Sequence, residues 1–296
     1  MRTLLKSLVA LSLGMTGCAE TGSEGTLSIR VSGEEAAQGG YPVGEGEDQI
    51  AFADGWTLEF HKVIVSLTQF TLATEDGEEA LLHSDPVLVD LHQGTPELWR
   101  FEGLAAQRWD AVGYQYAKPA SDVRVVNDLS EADVKRMQDE GYSLLIEATA
   151  RKEDREVELS WGFPLAIDVQ HCENGLDGTD GIVVRDNATT SAEITVHLDH
   201  LFFDSYATEE PNLRFDPLAE TAPEHGPLLL EALAAQDNLS DIKGRNGQPL
   251  GLAYDPGSAF HPVPTNLEEY VSAAAETTGH WNGEGHCEYH RLARSR

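Results

Sequence analysis

Apolar residues alternate with polar ones through most of the first two hundred positions, the period of a half-buried strand. The runs are 26–32 (TLSIRVS), 56–73 (WTLEFHKVIVSLTQFTLA), 87–91 (VLVDL), 97–102 and 109–117 (WDAVGYQYA). Two more, YSLLIEATARK and REVELSWGFPLAIDV, are joined by a charged turn near Glu153 and Asp154, and ITVHL ends the series. β-Branched and aromatic residues dominate these runs, and turn signals such as Asp76-Gly77 separate them. One stretch breaks the period. DLSEADVKRMQDEGY opens on Asp128 and Ser130 ahead of Glu131 and Asp133, which predicts a capped surface helix ending at Gly141. The segment EEAAQGGYPVGEGEDQI, rich in Gly and Glu, reads as a loop.

Many short strands with turns between them predict an antiparallel β-sandwich over residues 26–204. The last third changes character. LRFDPLAETA, GPLLLEALAAQ and NLEEYVSAAAETTG are helical candidates by period and composition. The expected fold is therefore mainly β: an antiparallel β-sandwich with a helical segment, residues 205–296, packed on it.

Candidate chemistry gathers where the strand pattern stops. ITVHLDHLFFDS places His197, Asp199, His200 and Asp204 within eight residues, beside Leu201, Phe202 and Phe203. In a continuing strand His197 and Asp199 share a face and His200 points away. If the chain turns helical after Leu198, His197 and His200 fall together and Asp204 joins one turn later. Imidazole with carboxylate suits zinc or copper. A second cluster, GHWNGEGHCEYH, carries His280 and His286 among glycines that let a loop bend around a ligand. The metal candidates are thus His197, His200, Asp204, His280 and His286. Hydrogen-bonded structural histidines are the competing reading. His61, within a strand, and His290, near the end of the chain, read as packing or surface residues.

The opening MRTLLKSLVALSLGMTGC has Arg2 and Lys6, a short apolar run and then Met15-Thr16-Gly17-Cys18. It resembles a bacterial lipoprotein signal with its lipobox. The resemblance implies removal of residues 1–17, lipidation of Cys18 and a tether over 18–25. With Ala19 next, it implies residence at the outer membrane, held there by the lipid anchor only. Cys172 and Cys287 remain. An exported chain with an even count suggests one disulfide, closing a 115-residue loop worth roughly 4 to 5 kcal/mol. Because each cysteine follows a histidine, a pair of thiolate ligands stays open as the alternative.

Charge narrows the partners. The net charge is −31, from 51 acidic and 20 basic residues. Such a field repels nucleic acid and concentrates cations. Pairs such as Glu34-Glu35 and Glu78-Glu79 are spread along the chain, as on a solvated surface. The Gly-x-Ser-x-Gly elbow, the phosphate loop, the dinucleotide fingerprint and His-Glu-x-x-His do not occur in the sequence. The loop CENGLDGTDGIVVRD departs from the EF-hand template, with Gly181 and Ala188 at ligand positions.

TLSIRVS, KVIVSLTQFTLATEDGEEALL, VLVDL and ELWRFEGLAAQRWDAVGYQY together resemble a domain of unknown function of bacterial lipoproteins, which implies an immunoglobulin- or transthyretin-like sandwich. With HLDHLFFDS, EEPNLRFDPLA and HWNGEGHC, the chain resembles uncharacterised myxobacterial envelope lipoproteins. The leading expectation is a lipoprotein that binds zinc or copper. The alternatives are a non-enzymatic interaction or adhesion module with structural histidines, and a metal-dependent hydrolase.

Overall fold

The computed structural model describes residues 23–46, 49–77 and 80–292. Residues 1–17, expected to be a signal segment, lie outside the described residues, as do Cys18 and residues 19–22 of the expected tether and the pair Glu78-Glu79. The chain is mainly β, with short helices. Its first strands are β1 (Glu24–Ser32), β2 (Thr57–Ala73), β3 (Ala80–His83), β4 (Val87–Asp90), β5 (Glu97–Ala105), β6 (Arg108–Trp109), β7 (Ala111–Tyr116) and β8 (Arg124–Val125). The middle holds β9 (Leu144–Lys152), β10 (Arg155–Phe163), β11 (Ile167–Gln170), β12 (Glu173–Asn174), β13 (Thr179–Asp180), β14 (Ile182–Val183) and β15 (Thr189–Val196). The last third adds β16 (Leu228–Leu229), β17 (Gly279–Trp281) and β18 (Glu288–Arg291). The helices are α1 (Glu34–Gly39), α2 (Glu131–Glu140), α3 (Asp216–Ala219) and α4 (Leu267–Ala275).

Two sheets enclose one core. The smaller runs β17-β15-β1-β5, and the larger runs β16-β10-β9-β2-β7-β11-β18, with β3, β4 and β8 attached beside β2. Alternation decides what each strand buries. Leu27, Ile29 and Val31 of β1 are buried and meet Phe60, Val63 and Phe70 of β2 in the same cluster. Phe70 bridges the sheets, its ring 5.6 Å from that of Trp99 and 6.1 Å from that of Trp281. Two irregularities keep β2 core-facing over seventeen residues. Phe60 pairs Ala148 and Lys62 pairs Glu147, so His61 is the extra residue and the core-facing set shifts from even to odd positions; a second shift between Thr68 and Thr71 returns it to Phe70 and Leu72. The His61 ring meets Thr149 Oγ1 at 2.7 Å.

The expected helix is present as α2. Ser130 Oγ accepts from the Asp133 backbone N–H, and Gly141 ends the helix in the left-handed region at φ 74°. It lies on the outer face of the larger sheet, where Met137 packs with Ile64, Leu88 and Leu145. Lys62–Asp133 at 2.8 Å and Arg136–Glu147 at 2.7 Å frame that contact.

Three local expectations change. Residues 34–39, expected within a loop, form α1, because Ala36 and Ala37 are buried against the core. The small sheet is not purely antiparallel: β1 and β15 run parallel, pairing Ile29 with Ala192 and Val31 with Ile194. The last third is less helical than its periodicity suggests. GPLLLEALAAQ yields the short β16, paired with β10, and a 3-10 turn over Leu230–Ala235. The segment around HWNGEGHCEYH supplies β17 to one sheet and β18 to the other. Pairing to an open strand edge satisfies backbone groups that a short helix would leave to solvent, and it overrides propensity. Among the described residues no helix is long and apolar enough to cross a membrane.

Candidate metal centre

Pairing places the histidines. β15 and β17 are antiparallel, with Thr195 opposite His280 and Ile194 opposite Trp281. Ile194 and Trp281 turn into the core, so Thr195, His197 and His280 share the opposite face. His197 and His280 are therefore diagonal neighbours, with ring centroids 4.4 Å apart. On the core face, Gly279 lets β17 lie close to β7, since a Cβ there would lie 2.5 Å from the Tyr114 hydroxyl. Beyond His197 the chain enters a 3-10 turn, Leu198–Phe202, which swings His200 to the same side. The His200 ring lies 5.9 Å from His197 and 5.2 Å from His280. A tight turn follows β17, with Asn282 at φ 51° and Gly283 at φ 84°, and closes through the Trp281 N–H bond to the Gly285 carbonyl. It carries Glu284 over the cluster and returns His286 to 5.7 Å from the His280 ring.

Four of the five expected ligands thus gather, and the fifth does not. The turn ends at Phe202 and Phe203 is extended, so Asp204 does not follow one helical turn on. Its carboxylate accepts from Arg214 Nε at 3.1 Å, from the Asn212 N–H at 3.0 Å and from Asn212 Nδ2 at 3.1 Å. Glu284 replaces it: one nitrogen each of His197 and His280 and one oxygen of Glu284 lie within 4.8 Å of one another. Glu284 sits between glycines in WNGEGH, a position the ligand pattern could have flagged. Asp199, from the same cluster of sequence as His197, comes to 4.0 Å from His197 Nδ1, and Glu284 to 3.8 Å.

The hydrogen bonds assign the free nitrogens. His197 Nε2 lies 3.3 Å from the Gly283 carbonyl, which can only accept. Nε2 then carries the proton and Nδ1 presents its lone pair toward the carboxylates. The Thr277 hydroxyl donates to the Ala274 carbonyl and accepts from His200 Nδ1 at 2.9 Å, leaving His200 Nε2 as the basic atom. His280 is different. It is 3% exposed, yet among the described residues neither ring nitrogen has a hydrogen-bond partner. Backbone of Thr277 and Glu284 is close enough to act on its charge but not in bonding geometry. A buried imidazole with two orphaned nitrogens is costly unless a ligand completes it.

Electrostatics keep the cluster in its binding form. Burial, then the fields of His197 and His286, push His280 down to about 4. Burial, then its histidine neighbours, hold His200 well below its ordinary value. Both are neutral at neutral pH, as ligation requires. A stability profile follows for the metal-free chain. Between pH 6.5 and 4 the unfolded chain takes up a proton that folded His280 does not, so stability falls as pH falls through that window. The loss is roughly 3 kcal/mol from His280, with His200 acting in the same direction. Asp199 and Glu34, whose carboxyls burial pushes up, offset part of it at the acid end. Urea midpoints measured from pH 7.5 to 4.5 should decline, whereas a flat profile would show that these imidazoles are solvated in the folded state.

Cys172 and Cys287 form a disulfide, Cα atoms 4.1 Å apart, so neither sulfur is a thiolate ligand. The bond ties the start of β12 to the segment between the turn and β18. The two histidine clusters converge through β15–β17 pairing and not through β11, which pairs with β7 and β18. The loop considered for calcium is closed on itself: Asp177 Oδ1 accepts from the Thr179 N–H and hydroxyl, and Asn174 Oδ1 from the Leu176 N–H.

No protein-family model matches the chain. No curated protein matches it either. Among solved structures, the chain has a match to MbnP from Methylosinus trichosporium at 11% identity, covering 78% of this chain and 96% of that one, with a TM-score of 0.32.

Proposed function

We propose that this chain is a bacterial envelope lipoprotein that binds a transition metal ion, zinc or copper. His197 Nδ1, His280 and Glu284 are the central ligands, with His200 Nε2 and His286 in reach to complete the shell. The observation that carries this reading is His280, a fully enclosed imidazole whose two nitrogens are unpartnered at the centre of three other imidazoles. Structural histidines would account for His197 and His200, each bonded through one nitrogen. His280 favours the metal reading over that rival, because most buried polar groups are hydrogen-bonded and neither of its nitrogens has a partner among the described residues. Neutral nitrogen donors with a carboxylate suit either metal. The test is metal analysis of the chain purified after incubation with zinc or copper and exhaustive dialysis at pH 7.5. One ion per chain, held tighter than micromolar, is expected, and an ion-free protein would return the histidines to a structural role.

The location rests on Met15-Thr16-Gly17-Cys18 and the basic, apolar stretch before it. Lipidation of Cys18 would hold the protein to the outer membrane by its acyl chains. Cys18→Ser should move the protein from the membrane fraction to the soluble one. Unchanged fractionation would refute the anchor.

A further inference from the structure

A cavity of about 300 Å³ lies against the cluster, lined in part by Glu34, Tyr41, Ile50, His197, Asp199 and Glu284. The turn carrying Glu284 forms one side, the 3-10 turn carrying Asp199 another, and α1 with Glu34 the third. Glu34 and Asp199 thus line the same cavity as the His197 imidazole and the Glu284 carboxylate. Glu193, whose carboxylate accepts from the Ser32 hydroxyl, adds further negative field at Glu34. Behind His197 stands His280, enclosed and without a partner, within 4.8 Å of a Glu284 oxygen. Glu34 has φ 54°, a left-handed conformation that a non-glycine residue adopts at some cost.

We propose that this cavity is the route by which a hydrated divalent cation reaches the histidines, and that Glu34 is a transfer ligand on that route. The inference rests on the metal-binding reading above. The imidazoles are enclosed, so an aqueous ion must shed water to reach them. An oxygen donor at the mouth replaces part of the hydration shell before the nitrogens do, which lowers the barrier to entering and leaving alike. Asp199 and Glu284 flank the path, with Glu284 also available in the final shell. The final site, centred on His280, does not include Glu34.

The assignment predicts kinetics. The probe is Co²⁺, whose visible absorption reports coordination by the full chain, with zinc competition as the check on affinity. Glu34→Gln should slow uptake about tenfold in stopped-flow mixing at low salt. It should slow release to a chelator by a similar factor, because a step on the path is shared by both directions. Equilibrium affinity should therefore change by less than about threefold, the scale of one exposed charge. Glu34→Gly, which accepts the same backbone angle without strain, should behave like the Gln variant and guards against a folding artefact. Slower uptake with unchanged release would reduce Glu34 to long-range steering and overturn the transfer role. An affinity loss as large as that of His280→Ala would make Glu34 a resident ligand and overturn it equally. Unchanged rates in both directions would remove Glu34 from the path. A wild-type chain that takes up none of Co²⁺, Zn²⁺ and Cu²⁺ fails at the earlier step, the metal site itself.

Discussion

Replacing His280 with alanine should lower metal affinity at least a hundredfold while leaving the metal-free fold intact. A structural zinc site of four ligands is worth about 10 to 16 kcal/mol, so one central ligand carries roughly 3 kcal/mol, which is a factor of a hundred or more. His280 is the ligand least replaceable by water, because it is enclosed and its nitrogens have no other use. His197→Ala should follow it closely, whereas His286→Ala should cost less, since that residue is exposed and solvent can take its place. Chelator competition measures the affinities. Thermal melts provide a second readout: ligand at a hundred times its Kd stabilises the wild type by about 2.7 kcal/mol, and His280→Ala should lose that shift. The apo comparison separates the two readings of the histidines. A structural histidine loses bonds when truncated. His280 has none to lose, and removing an unsatisfied buried polar group returns about 1 to 3 kcal/mol against the cavity it leaves. The metal-free variant should therefore stay within about 1 kcal/mol of wild type; a larger loss, with affinity unaltered, would show His280 to be a packing residue.

Removing the disulfide should cost more than any single core substitution outside the aromatic centre. It closes 115 residues, for which the chain-entropy account gives about 4 to 5 kcal/mol. Domain stabilities are typically about 5 to 15 kcal/mol, so Cys172→Ser with Cys287→Ser takes a large share. The loss should reach the metal centre as well. Cys287 follows His286 directly and sits between the Glu284 turn and β18, so its bond to Cys172 helps hold that turn over β15. Denaturant midpoints should fall and metal affinity should fall with them, beyond what the stability change alone produces. If the double serine variant keeps wild-type affinity, β15–β17 pairing positions the cluster unaided.

Local pattern set a good deal of this protein. Period-two alternation marks β1, β2, β10 and β15 because inside and outside alternate along a strand whatever its neighbours are. The Ser130 cap and Gly141 mark α2 because orphan backbone groups at helix ends need those residues nearby. The pairing of His197 with His200 was readable for the same reason: three residues of a tight turn bring both rings to one side. Alternation names the face of each strand but not the strand beside it. Nothing local in ITVHL says that Thr195 lies opposite His280, or that β15 runs parallel to β1. Those pairings are made across long stretches of chain, and β15–β17 pairing puts His280 beside His197, while the Cys172–Cys287 bond helps hold Glu284 above both. Asp204 was lost to the site by the same logic, since its distance along the chain suited one more turn of helix while Arg214 and Asn212 drew it elsewhere. The sequence by itself determined the longer strands, helices α2 and α4 and the supply of imidazoles. Tertiary pairing decided which imidazoles meet, because register is a property of two strands and each strand carries only half of it.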